Sequence, residues 1–300
     1  MRKATLLAVV AGFVVTACAG TSSPAPTSSA SGAPCAKQNL NLVAAGKLTV
    51  GTDNPAYPPY FQGGTTKGSE WKFNDPHTGK GFESAVAYAV AAELGFSKAQ
   101  VNWVVAPFNQ TYAPGPKNWD FAIEQIGYSA KRARAVDFSD SYYNESEALV
   151  AVKGTPIAQA TSISDLKNYR LAAPTGTTSY DIITKVIKPN KEPGSYNSLA
   201  DTVAAINAHA VDGIVVDYPT ALYVADPFVQ EVKHSVVVGQ FPATAQSEHF
   251  GMTFVKGNPL VQCVNRALAS LKSSGRLQAI TTEWLSKKTN VGNVPVFSNA

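Results

Sequence analysis

This chain lacks most of the features that announce an enzyme or a nucleic-acid binder. Its 300 residues hold three cysteines, two methionines and four histidines. His77, His209, His234 and His249 are scattered without metal-ligand spacing, so no metal and no cofactor is expected. No block of Lys and Arg exists that could neutralise a run of phosphates, and the formal net charge is only +4. That excludes nucleic acid as a partner. No Gly-x-Ser-x-Gly occurs. Ser164-Asp-Leu-Lys167 has an S-x-x-K spacing, but the companion S-D-N and K-T-G motifs are missing. Gly63-Gly-Thr-Thr-Lys-Gly68 lacks the Lys that closes a phosphate loop. No catalytic residue is assigned on these patterns.

Acid is also absent from the start of the chain, where nothing negative precedes Asp53. Met1–Lys3 is basic and Ala4–Val15 is apolar, too short a run for a membrane span. Residues 1–17 read as a signal peptide. The run ends in Val15-Thr-Ala-Cys18, which resembles the bacterial lipobox, where cleavage precedes a Cys that is then lipidated. The alternative is an ordinary signal peptide with an incidental Cys. Ala19–Pro34 contains only small residues, Ser, Thr and Pro, so 18–34 reads as a lipidated Cys with a flexible tether. The expected location is the outer face of the bacterial cytoplasmic membrane. Losing Arg2 and Lys3 leaves a charge of 4 − 2 = +2. Two cysteines remain, Cys35 and Cys263. In an exported protein they can form a bridge worth roughly 2–4 kcal/mol, or stay as two buried thiols.

Beyond Pro34 lie about 265 residues, room for two modest domains. Strand-like runs occur at 48–51, 101–106, 122–126, 148–152, 170–173, 213–217, 235–238 and 251–255. Helical patterns lie between them. Glu83–Leu94 stops at Gly95, Ser198–Ile206 opens on a capping residue with an acid three later, and Asn258-Pro259 opens a helix that ends at Gly275. Strands alternating with helices predict an α/β fold with mostly parallel sheets. A break at Lys153–Pro156 and a polar segment at Pro242–His249 divide the body. Residues 35–147 plus 246–300 are expected to form one lobe and 148–245 the other, with a cleft between.

The richest stretch is Gly127–Tyr143. Ser129 precedes Arg132 by three residues, and a hydroxyl with a guanidinium fork can grip a carboxylate. Gly176-Thr177-Thr178 precedes a helical pattern, where backbone N–H groups favour an anion. Asp217 ends the apolar run from Gly213, and ligands in open α/β sheets sit beyond strand ends. Asp217 is equally suited to cap the helix at Pro219.

These and other motifs make the chain resemble extracytoplasmic solute-binding proteins of the polar amino acid ABC importer family, the family 3 solute-binding lipoproteins. Gly51-Thr-Asp-Asn-Pro-Ala-Tyr-Pro-Pro-Tyr60 is similar to the family's G-T-D…Y-P-P-F, and Gly81-Phe-Glu83 to its G-F-D-x-D. The Gly127–Tyr143 stretch is similar to T-x-x-R-x-x-x-x-D-F-S-x-P-Y. Gly176–Thr178, Val211–Asp217 and Gly275-Arg-Leu…Glu283-Trp-Leu285 follow in family order. The resemblance implies a two-lobed type II periplasmic-binding fold, each lobe a mostly parallel sheet flanked by helices. It implies a monomer that captures a polar L-amino acid and delivers it to ABC permease subunits.

By the same resemblance, Arg132 with Ser129, Thr177 and Thr178 would meet the ligand's carboxylate, and Asp217 its ammonium. Tyr57 and Phe108 would sandwich its side chain, unless they are plain core. Asp53 and Gln125 are candidates for side-chain recognition. The departures fall in the pocket. Gln125 and Gly127 stand where relatives place small hydroxyls, Ser129 replaces Thr, Ser141 replaces Pro, and Ser84-Ala85 follows Glu83. Gln62–Lys80 is longer than the usual hairpin, and its Trp71 could reach the cleft rim. Two rivals remain. One is a cyclohexadienyl-dehydratase-like lyase using Glu124 or Glu83 as its acid. The other is a sensory surface lipoprotein.

Overall fold

The computed structural model describes residues 34–65, 67–144, 146–242, 249–286 and 294–299. The expected signal peptide, Cys18 and the tether up to residue 33 lie outside them.

Two five-stranded sheets organise the chain. The first takes the order β2-β1-β3-β12-β4: Val101–Val105, Leu48–Thr52, Phe121–Ala122, Thr253–Val255 and Val136–Phe138. β1 is parallel to β2 and β3, while β12 is antiparallel to β3 and β4. The second takes the order β8-β7-β9-β6-β10: Gly194–Tyr196, Leu171–Pro174, Gly213–Asp217, Glu147–Val152 and Ser235–Gln240. β7 is parallel to β8 and β9, while β6 is antiparallel to β9 and β10. Each sheet therefore has four strands pointing one way and one reversed. The reversed strand is the one arriving from the other lobe, β6 outward and β12 on the return. The two crossings run side by side as a short antiparallel pair, β5 (Tyr143–Asn144) with β11 (His249–Phe250).

Apolar runs form these strands because both sheet faces are covered. All five residues of β1 are buried. On the first sheet lie α1 (Phe82–Glu93) and α7 (Leu260–Ser273), the latter burying Leu260, Val264, Leu268 and Leu271. Gly81 opens α1 at φ 95°, and a Cβ there would stand 2.4 Å from the Tyr60 carbonyl oxygen, so only glycine fits. The other helices are short: α2 (Phe108–Thr111), α3 (Ala130–Ala133), α4 (Thr178–Asp181), α5 (Leu199–Asn207), α6 (Tyr218–Val224) and α8 (Arg276–Thr281). The Ser198 hydroxyl caps α5 by accepting from the Asp201 N–H, as its motif predicted.

Cys35 and Cys263 form a disulfide, with Cα atoms 5.3 Å apart, which rules out two free thiols. It fastens the segment leading into β1 onto α7. Two findings depart from expectation. The run 122–126 is not a continuous strand; β3 ends at Ala122, and the chain turns through Gln125 at φ 45°. The tail 294–299, assigned above to the first lobe with 246–300, packs on the second sheet. Phe297 N–H donates to the Gln240 carbonyl at 2.9 Å, and Ser298 N–H to Thr161 at 3.1 Å. The Phe297 ring is buried in the core against Phe241.

Candidate functional site

A cavity of about 260 Å³ lies between the lobes. Its walls come from the carboxyl ends of the strands, where side chains are free of sheet packing. Asp53 follows β1, Phe108 follows β2, and Glu124 and Gln125 follow β3. From the other lobe, Thr177 and Thr178 follow β7, Asn197 and Ser198 follow β8, and Asp217 ends β9. Tyr57 lies at the rim.

The first-lobe wall is rich in buried carboxyls. Glu83, fully enclosed in α1, lies behind Gln125 and accepts its backbone N–H at 2.6 Å. It also accepts from the Gln125 side-chain amide and the Tyr142 hydroxyl. Burial outweighs these donors and lifts Glu83 from the ordinary 4.5 to about 7. This grip holds Gln125 in its left-handed conformation and engages its backbone N–H and one side-chain N–H. Glu124 is itself buried yet faces the cavity. Burial, then the neighbouring charges of Asp53 and Glu83, push its carboxyl well above the usual range, and the Arg132 charge opposes them.

Arg132, Ser129 and Gly127 do not line the cavity. The Ser129 hydroxyl caps α3, accepting from the Arg132 backbone N–H at 3.2 Å. Arg132 is buried, with Nη1 donating to the Gly127 carbonyl at 2.6 Å and Nη2 to the Gly176 carbonyl at 2.8 Å. Its guanidinium lies 4.3 Å from the Tyr112 ring centroid and 5.3 Å from that of Phe108. Arg132 thus joins the lobes, since Gly176 belongs to the second. A second tie crosses the cleft, Tyr60 Oη to Thr220 Oγ1 at 3.1 Å. Trp71 is buried at the base of the 62–80 loop; Phe73 is the residue that reaches the rim, its ring 5.3 Å from Tyr57.

On the second-lobe wall the hydroxyls are largely engaged. Thr177 Oγ1 donates to the Pro174 carbonyl and accepts from the Tyr180 N–H, the cap of α4. Ser179 donates to Glu147. Thr178 holds the first position of α4, where a backbone N–H has no intrahelical partner. Asp217 occupies the N-cap position of α6 but makes no capping hydrogen bond there.

Sequence reasoning missed Tyr60, Asn197, Ser198 and Thr220 as cavity-lining residues, and Tyr112 as a ring against Arg132. The strand-end rule used for Asp217 would have found Asn197 and Ser198 had β8 been recognised. Glu124 was named only as an acid for a rival enzyme.

Two lobes of one winding, tied across a polar and aromatic cavity at their strand ends, define a two-lobed solute-binding protein of the type II periplasmic-binding fold. The chain belongs to the bacterial extracellular solute-binding proteins, family 3, whose family model matches residues 48–287. It is similar to the arginine-binding periplasmic protein of Mannheimia haemolytica, 26% identical over 240 residues, 78% of this chain and 90% of the relative. It is also similar to the ABC transporter glutamine-binding protein GlnH of Bacillus subtilis (strain 168), 26% identical over 218 residues, 70% of this chain and 75% of the relative. Among solved structures it resembles the ancestral amino acid-binding protein AncCDT-1, a precursor of cyclohexadienyl dehydratase. The TM-score is 0.64 at 26% identity, covering 80% of this chain and 96% of that one.

Proposed function

We propose that this protein captures a polar L-amino acid between its lobes and delivers it to an ABC permease. The observation that carries the reading is the division of one cavity between two lobes. Asp53, Tyr57, Phe108, Glu124 and Gln125 come from the first, and Thr178 and Asp217 from the second. A ligand touching both walls favours the closed arrangement by its differential contacts. Asp217 accepts the ammonium. The carboxylate meets the Thr178 N–H, with Arg132 supplying positive charge from the hinge side of the same turn. Thr177 and Ser129 support this site as caps, and Gly127 supports it by holding Arg132. Relatives named for arginine and glutamine agree with a polar ligand. In this reading Cys18 carries the lipid, and the protein is a monomer at the outer face of the cytoplasmic membrane.

A thermal-shift panel of the twenty amino acids tests it. Ligand at 100 times its dissociation constant stabilises the fold by about 2.7 kcal/mol. No shift with any amino acid would discard the proposal. One observation favours a second reading, a cyclohexadienyl-dehydratase-like lyase: Glu124 is a cleft acid that keeps its proton well above the usual range. Turnover of prephenate or arogenate would establish it.

A further inference from the structure

We propose that Glu124, paired with Asp53, forms a two-carboxyl subsite that selects an amino acid with a cationic side chain, an ammonium or a guanidinium. This rests on the amino-acid-capture reading and narrows it.

The starting observation is an unmet demand. Glu124 is 6% exposed, lines the cavity, and its Oε2 has no hydrogen-bond partner. A buried carboxyl oxygen without a donor is costly, and a cleft-facing one is satisfied when a ligand brings the donor. The carboxyl of Glu124 also contacts that of Asp53, which comes from the end of the neighbouring strand β1. Two carboxyls in hydrogen-bond contact hold one proton between them.

The neighbours decide which donor fits. Asp53 Oδ1 already accepts the Asn54 N–H at 2.7 Å, which orients its carboxylate. Gln125 has its backbone N–H and one side-chain N–H drawn back to Glu83, and its carbonyl Oε1 remains an acceptor. This end of the cavity is therefore built of acceptors. A guanidinium brings five donors and no acceptor, and an ammonium three donors and none. A neutral amide also brings a carbonyl oxygen, for which this wall has only the proton shared by the two carboxyls and one Gln125 N–H. An aliphatic side chain leaves Glu124 Oε2 as it stands.

The charged groups around Glu124 are Asp53, Glu83 and Arg132; Glu83 has the charge of Asp217 near it and hydrogen bonds from Tyr142 and Gln125. Without ligand, burial and the two neighbouring carboxyls keep the Glu124 proton on. A bound cation favours the ionised form, so the proton leaves as the cation enters. Over the range in which Glu124 is protonated in the empty protein, affinity then rises with pH.

Isothermal titration of the full chain with L-arginine, L-lysine, L-glutamine and L-citrulline tests this. Citrulline is the useful probe, matching arginine in shape without its charge. The cationic ligand should bind tighter than citrulline by about 100-fold or more, because the site's buried acceptors reject a mismatched group. Glu124→Gln should shrink that ratio about tenfold or more. Titrations in buffers of differing ionisation enthalpy should show proton release in the unsubstituted protein and less in Glu124→Gln. The arginine-to-citrulline ratio needs no variant, so it stands even if Glu124→Gln does not fold. Equal binding of arginine and citrulline, or tighter binding of a neutral amino acid, would overturn this inference and leave amino-acid capture intact. Failure of every amino acid to bind would bring down the underlying reading instead.

Discussion

The two lobes have the same strand winding but do different work at matching strand ends. Where β1 delivers Asp53, its counterpart β7 delivers Thr175. Thr175 is already bound, its hydroxyl 2.6 Å from Ser195 Oγ and 3.0 Å from the Tyr196 carbonyl. Where β3 leads to Glu124, with an oxygen left unpaired, β9 ends in Asp217. The second lobe offers a turn whose hydroxyls largely serve its own backbone, suited to the invariant part of an amino acid. The first lobe offers a carboxyl that awaits a donor, Glu124 beside Asp53, suited to the variable part. The winding supplies the positions; the residues placed there decide what is held.

The sharpest way to break this comparison is to cut the residue that spans both lobes. Arg132→Ala should weaken ligand binding by roughly 2–5 kcal/mol, since it leaves buried partners unmet on both sides of the cleft. Unchanged calorimetric affinity would remove Arg132 from the site. Next comes the disulfide, which lies wholly within the first lobe. Urea unfolding with reductant should show a loss of roughly 2–4 kcal/mol against the oxidised protein. An identical midpoint would show that the link is idle.

The first lobe should also carry a pH dependence. Glu83 holds its proton in the fold up to about 7 but ionises near 4.5 when unfolded. Between those values the folded state binds more protons, so stability falls as pH rises, by on the order of 3 kcal/mol from Glu83. Its contribution is intact below about 4.5 and lost by the time pH passes 7. Glu124 acts in the same sense. Melting temperatures across this window should fall, and Glu83→Gln should flatten the slope; a slope unaltered by that change would place the effect elsewhere. The smallest effect belongs to the other tie across the cleft. Tyr60→Phe removes its hydrogen bond to Thr220 and should cost about 1 kcal/mol, read as weaker binding with little change in fold.

Strands and helix caps were legible because their causes are local. The run Gly213–Asp217 is apolar with an acid at its end, and Ser198 followed by Asp201 marks a cap within four residues. The bend at Gln125 has a distant cause: Glu83, 42 residues earlier in α1, draws both its amides inward. Read alone, Ala122–Ile126 is simply strand-like, and Glu124 looks like one residue of it. The hydroxyls of Ser129 and Thr177 pose a related question. A hydroxyl beside a helix start serves a ligand or a cap equally well, and only the fold shows both serving as caps. The tail gave no local sign of its lobe, because Phe297 is apolar enough for either core.

The tail's position has a practical consequence. Cys35 is fastened to the first lobe through α7, while Pro295–Ser298 runs beside Gln240 and Thr161 on the second. The two extremities of the folded body therefore travel with different lobes. A pair of fluorophores, one just ahead of Cys35 and one at the carboxyl end, would change separation as the cleft opens and closes. Energy transfer between them would then register ligand uptake without a single substitution near the cavity.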